Sequence, residues 1–74
     1  MAFEYAKLRG KIREVFNSQA AFAAAMNISE TTLSHKMTGK IDFSQSEIHQ
    51  AARLLGLGRE EITTYFFTPK VQKL

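Results

Sequence analysis

Cysteine is absent from this 74-residue sequence, and proline occurs once, at Pro69. The lack of cysteine excludes a disulfide scaffold and thiolate ligands for a metal ion. Long hydrophobic runs are also missing, because the longest nearly apolar stretch, 20–26, is far too short to cross a bilayer. The N-terminus lacks the basic and apolar segments of a signal peptide. We therefore expect a cytoplasmic protein with no membrane-spanning segment.

The composition is that of one small folded domain, residues 1–74. Hydrophobic residues make up 45% of the chain, which is too many for a disordered sequence. Lysine and arginine number 10 against 7 acidic residues, which gives a net charge of +3. That mild excess permits phosphate binding without requiring it, so function has to be inferred from the pattern of residues.

Apolar residues recur at helical spacing in five segments, which predicts an all-α fold. Asn27 and Gly56 are expected to end the second and fourth helices, because both residue types tolerate positive φ. Ser44 and Glu47 have the Ser-x-x-Glu spacing of a capping box. The predicted helical segments are 5–16, 19–26, 29–37, 44–55 and 59–65, and the third and fourth ranges include their N-capping serines.

The two helices within 19–37 are separated by a turn of three residues, Asn27-Ile28-Ser29, which is the spacing of a helix-turn-helix motif. Ala23 is small where crossing helices approach each other, and Ile28 fills the space under the turn. Leu33 lies on the face of the second helix that is expected to pack against the core. Together these positions indicate a motif whose second helix enters the major groove of DNA.

The second helix of the motif has a small, polar outward face, on the side opposite its apolar residues at about 100° per residue. Such side chains can approach base edges closely, so one hypothesis is direct base contact. The alternative is an ordinary solvated helix face. Glu30 can accept a hydrogen bond from a cytosine amino group. Alternatively, its negative charge only stabilises the N-terminus of the helix by interacting with the helix dipole. The candidate base-contacting residues are Glu30, Thr31, Ser34 and His35.

A second set of residues lies at the rim of this face, where phosphate contacts are expected. Gln19 begins the first helix of the motif, where a side chain and backbone N–H groups can hold a phosphate. Capping or solvation is the alternative for each member of the set, and for Ser44 capping is favoured. The candidate phosphate-contacting residues are Gln19, Lys36, Lys40, Ser44 and Gln45.

The helix-turn-helix segment also carries a family pattern. It reads Gln19-Ala20-Ala21-Phe22-Ala23, then Asn27-Ile28-Ser29, Leu33-Ser34 and Gly39-Lys40. With this pattern the chain resembles the Cro/CI (xenobiotic-response-element type) helix-turn-helix family over most of its length. Segments 3–12 and 65–72 further resemble small phage-encoded repressors of Gram-positive hosts. One departure is Lys36, which stands where that family usually has an apolar residue, so Met37 is expected to take the packing role.

The resemblance implies a compact five-helix lambda-repressor-like domain that represses transcription by binding a double-stranded DNA operator as a homodimer. CI-type repressors usually carry a second domain, for which this chain has no room, so a Cro-like regulator is favoured. In such a protein the C-terminal tail, 66–74, is the natural dimer element, because it has more apolar surface than a free tail should expose. The alternative is that Phe66 and Phe67 fold back onto the protein's own core. The candidate dimer-interface residues are Tyr65, Phe66, Phe67 and Val71.

Two other classes of function are alternatives. An interaction module that has lost DNA binding, such as an antirepressor that pairs with another phage repressor, fits the mild charge and Glu30. An enzyme is a distant third, because His35 and His49 have no carboxylate at metal-ligand spacing and the sequence contains no Gly-rich phosphate loop. We therefore expect no catalysis, no metal, no cofactor and no small-molecule substrate.

Overall fold

The computed structural model describes residues 3–68, and all of its regular structure is helical apart from a single bridging residue, Phe3. The predicted all-α fold of five short helices is therefore confirmed. Within residues 3–68 no helix is long and apolar enough to cross a membrane. The helices are α1 (Ala6–Phe16), α2 (Gln19–Met26), α3 (Glu30–Met37), α4 (Gln45–Leu55) and α5 (Arg59–Phe66).

Local chemistry at the helix ends sets the helix-turn-helix spacing. The hydroxyl of Ser18 accepts a hydrogen bond from the backbone N–H of Ala21 at the start of α2. Ser29 caps α3 in the same way, so both helices begin on a satisfied donor. Asn27 ends α2 in the left-handed conformation, with φ of 61°. Because this single residue closes α2, α3 starts after a turn of three residues, as the sequence predicts.

The core lies where the apolar faces of the helices meet. Phe22 and Leu33 are fully buried, which fixes the inner faces of α2 and α3. Val15 of α1 is apolar but 43% exposed. The buried hydrophobic residues are Tyr5, Leu8, Ile12, Phe22, Ala23, Met26, Leu33, Met37, Ile48, Ala51, Ala52, Leu55 and Phe66.

The two ends of the described chain are joined. The backbone N–H of Glu4 donates a hydrogen bond of 2.8 Å to the carbonyl oxygen of Thr68. The rings of Phe3 and Phe67 meet edge to face, with centroids 5.5 Å apart. Phe3 and Glu4 are thereby packed beside the end of α5, and this places aromatic side chains from both ends of the described chain on one surface.

Candidate protein-interaction surface

The outward face of α3 has the composition that the sequence predicts. Glu30, Thr31 and Ser34 are exposed, and His35 is half-buried. The face opposite contains the buried Leu33. The structure therefore places the four candidate base-contacting residues on or beside one accessible surface, while their contact with bases stays a prediction.

Lys36 does not lie on the rim of that face. Its side chain is buried, with 6% of the residue exposed, and its Nζ lies 2.9 Å from Oε1 of Glu47 and 3.1 Å from the carbonyl oxygen of Asp42. The reason is helical geometry, since Lys36 follows the buried Leu33 by three positions and shares its inward face. The expectation of a phosphate contact from Lys36 is corrected, because its ammonium group is bound within the fold.

Glu47 is fixed from two directions. Its Oε1 accepts a hydrogen bond of 2.8 Å from the backbone N–H of Ser44, and the Ser44 hydroxyl accepts from the backbone N–H of Glu47. This confirms the predicted capping box. Burial alone raises the pKa of the Glu47 carboxyl, but the hydrogen bonds from Ser44 and Lys36 outweigh it and hold that pKa below its usual value. Glu47 is thus the ionised partner that Lys36 needs.

The other candidate phosphate contacts are scattered around the motif. Gln19 is half-buried at the start of α2, whereas Lys40 and Gln45 are exposed. The hydroxyl of Ser44 is used as the helix cap, as favoured from sequence. Between residues 18 and 41 the formally charged side chains are Glu30, Lys36 and Lys40, and Lys36 is paired with Glu47. The motif therefore has little net positive charge to attract phosphates.

The structure also contains an open cavity of about 340 Å³, lined by residues outside the helix-turn-helix motif, which we call the aromatic groove. The ring of Phe43 lies edge to face against Tyr5 on one side and Phe66 on the other, with centroid separations of 5.5 and 5.3 Å. Phe67 is 42% exposed, so the groove has an apolar ring open to solvent. The groove is lined by Phe3, Tyr5, Asp42, Phe43, Ile48, Phe66 and Phe67.

Asp42 gives the aromatic groove a negative edge. Burial and, to a smaller extent, the charge of Asp42 raise the pKa of the Tyr5 phenol. Tyr5 is therefore neutral near pH 7, and among residues 3–68 Asp42 is the only carboxylate that lines the groove. An exposed aromatic ring beside a polar group suits the burial of a partner's side chains better than the binding of a phosphate backbone.

The C-terminal candidates for a dimer interface separate into different environments. Phe66 is 1% exposed and belongs to the monomer core, so its assignment to a dimer interface is corrected. Its ring packs against Phe43 because α5 turns the Phe66 side chain towards α4 and the preceding loop. Tyr65 is half-buried and Phe67 is exposed, while Val71 lies outside the described residues.

Sequence reasoning missed Phe3, Tyr5, Asp42 and Phe43 as members of one surface. A signal was present, because aromatic residues cluster near both ends of the chain, at 3–5 and at 65–67. Only the packing of the N-terminal segment against the end of α5 brings those two clusters together.

These observations describe a small helical protein that combines an aromatic groove with a helix-turn-helix motif of low net charge. The chain belongs to the DUF739 family, described as proteins of unknown function, whose sequence pattern matches residues 1–69. It is similar to the modulator of repression (MOR) of the temperate bacteriophage TP901-1 from Lactococcus lactis, known from a solution structure. The two are 40% identical over 97% of each chain, with a TM-score of 0.81. A comparison with curated proteins found no match.

These findings correct the functional interpretation of the sequence. The resemblance to Cro/CI repressors is wrong at the level of family, because the match is to DUF739 and to a modulator of repression. The inferred Cro-like, operator-binding repressor is wrong for the same reason, and neither operator binding nor a homodimer gains support. The helical fold itself is compatible with both families. A fold shared by several families does not identify the ligand, which has to be inferred from the surface.

Proposed function

We propose that this protein modulates repression in a temperate bacteriophage by binding the phage's repressor protein. It acts as an interaction module of the antirepressor type. The observation that carries this proposal is the 40% identity to the TP901-1 modulator of repression over 97% of both chains. Similarity over the whole length favours a shared mode of action more strongly than a match to the helix-turn-helix segment alone.

The charge distribution supports a protein partner. Proteins that bind DNA tightly neutralise several phosphates with lysine and arginine. Here the motif has Lys40 exposed, Lys36 buried against Glu47, and Glu30 on the outward face of α3. A surface with so little positive charge is better suited to a protein than to the DNA backbone.

The aromatic groove is the contact surface that this proposal assigns to the repressor. Aromatic side chains are enriched among the residues that dominate binding energy at protein interfaces, because they bury large apolar areas at a small entropic cost. Phe67 is open to solvent at the edge of the groove, and Phe3 packs against it. Filling the groove removes both rings from water.

The test is to mix the purified protein with the repressor encoded by the same phage genome and to measure binding by calorimetry. We expect a complex, and we expect Phe67→Ala to weaken it about tenfold or more, since a buried aromatic anchor contributes on the order of 2 kcal/mol. Val15→Ala is the matched control, because Val15 is 43% exposed and does not line the groove. It should leave affinity unchanged.

A parallel titration of the protein alone against the repressor's operator DNA completes the test. We expect no sequence-specific binding and no steep dependence on salt. Failure to bind the repressor, or tight and salt-dependent binding to the operator alone, contradicts the proposal.

A further inference from the structure

A second cavity, of about 360 Å³, lies where α4 turns into α5. Its rim has three basic side chains, His49, Arg53 and Arg59, and all three are exposed. Its floor is apolar, with Ala52 buried and Leu57 and Ile62 half-buried. We call this cavity, lined by His49, Ala52, Arg53, Leu57, Arg59 and Ile62, the basic groove.

The turn between the helices creates this arrangement. Gly56 ends α4 in the left-handed conformation, with φ of 69°, and α5 begins at Arg59. Only two residues, Leu57 and Gly58, separate Gly56 from α5, and Arg53, from the last turn of α4, lines the same cavity as Arg59.

Within residues 3–68 no carboxylate forms an ion pair with these arginines. Within residues 3–68 the ion pairs are Lys11 with Glu14 and Lys36 with Glu47, so neither Arg53 nor Arg59 is in one. Glu61 accepts a hydrogen bond of 2.8 Å from the backbone N–H of Gly58 at the start of α5. The Glu60 carboxylate lies over Gly58, close to where a Cβ atom would stand. The positive charge of the groove is thus left for an external partner.

We infer that the basic groove binds a segment of the phage repressor that combines acidic and apolar residues. Its carboxylates pair with Arg53 and Arg59, and its apolar side chain covers the floor formed by Ala52, Leu57 and Ile62. Arginine is suited to this role because its planar guanidinium group binds a carboxylate through two parallel hydrogen bonds. This inference rests on the proposed function, since it names a second contact with the same partner.

Two features favour a protein segment over DNA. The floor is apolar, and a phosphate backbone gains nothing from covering it. The basic groove and the aromatic groove are also both lined by residues of α4 and α5. Ile48 and Phe66 line the aromatic groove, and Ala52 and Ile62, four residues away on each helix, line the basic groove. Four helical residues span about 6 Å, so one protein partner of ordinary interface size reaches both.

The experiment compares the affinity of the full-length protein for the repressor in two double variants. Arg53→Glu/Arg59→Glu should weaken the complex about tenfold or more and reduce the salt dependence of its dissociation constant. Lys7→Glu/Arg13→Glu, an equal change in net charge at exposed positions of α1, should leave affinity within about threefold. Circular dichroism and thermal unfolding establish that both variants are folded.

Chemical-shift mapping gives a second measurement that needs no variant. Adding repressor to the ¹⁵N-labelled protein should shift the amide signals of residues 49–62 along the basic groove.

If the wild-type protein binds the repressor but the arginine variant binds equally well, or those signals stay unmoved, the basic groove is not a contact and the proposed function survives. Failure of the wild-type protein to bind removes both proposals. If Arg53→Glu/Arg59→Glu instead loses affinity for a random DNA duplex and keeps its affinity for the repressor, the basic groove binds phosphates and the inference is overturned.

Discussion

Lys36 is a charged residue at a position of α3 that faces the interior. Its ammonium group is matched by the Glu47 carboxylate at 2.9 Å and by the Asp42 carbonyl oxygen at 3.1 Å. It also lies 5.9 Å from the centre of the Phe43 ring, within the range of a cation–π contact. Taking a charge out of water is costly, and such a pair offsets that cost without necessarily adding net stability. The pair links α3 to the start of α4.

The two halves of this pair should respond differently to substitution. We expect Glu47→Gln to destabilise the protein by about 2–3 kcal/mol, because it leaves the more buried charge, Lys36, without its counter-ion. Lys36→Met should change the free energy of unfolding by about 1 kcal/mol or less, since Glu47 is 22% exposed and can be hydrated. Urea unfolding measures both values. A larger loss for Lys36→Met than for Glu47→Gln contradicts this account.

The lowered pKa of the Glu47 carboxyl predicts that the stability of the protein depends on pH. The folded state lowers the pKa of Glu47 below its ordinary value of 4.5, so the unfolded chain binds a proton more readily than the folded one. The contribution of Glu47 is therefore complete above about pH 4.5 and is lost as the pH falls through the lower, folded-state pKa. The difference in unfolding free energy between wild type and Glu47→Gln should shrink with acidification over that range.

At the scale of the element, the start of α4 does more than begin a helix. The capping box fixes Glu47 through Ser44, and the same Glu47 oxygen then accepts from Lys36. We expect Ser44→Ala to cost about 1 kcal/mol, as the loss of a serine cap usually does. Ser34→Ala, at an exposed position within α3, is the control and should stay within about 0.5 kcal/mol.

A double-mutant cycle separates the cap from the pair. If Ser44 positions Glu47 for Lys36, the effects of Ser44→Ala and Lys36→Met on unfolding free energy should fail to add by about 0.5 kcal/mol or more. Additive effects indicate that the cap and the ion pair stabilise the protein independently. Urea unfolding of the two single variants and the double variant gives the answer.

The helix-turn-helix element shows why its spacing predicted structure but not function. Asn27 closes α2 and Leu33 is buried, so the sequence correctly indicated how α2 and α3 meet. Those residues determine the packing of two helices against each other. They do not determine the charge at the surface of the motif. That charge depends on whether a side chain such as Lys36 is exposed or is paired within the fold. The inference of operator binding came from the packing pattern, and the family comparison shows that it was wrong.

At the scale of the whole molecule, neighbouring aromatic residues have different roles. Phe66 is 1% exposed in the core, and Phe67 is 42% exposed beside Phe3. We expect Phe66→Ala to cost about 3–5 kcal/mol, a large part of the stability of a small domain. Phe67→Ala should cost about 1 kcal/mol, since it removes one exposed edge-to-face contact. Thermal or urea unfolding tests the order, and a reversed order contradicts the assignment of Phe66 to the core.

The sequence by itself determined the five helices and their ends, because helix capping and apolar periodicity are local. The Ser44 hydroxyl accepts a hydrogen bond from Glu47, three residues later, and the positive φ of Asn27 is a property of that one residue. It also indicated the packing of the helix-turn-helix. Only the tertiary structure decided that Lys36 is neutralised by Glu47, that Phe66 is core, and that Phe3, Phe43 and Phe67 form one groove. These contacts join residues far apart in the chain, and their partners are set by how the helices pack. Periodicity tells which face of a helix is buried, but it carries no information about which residue lies opposite.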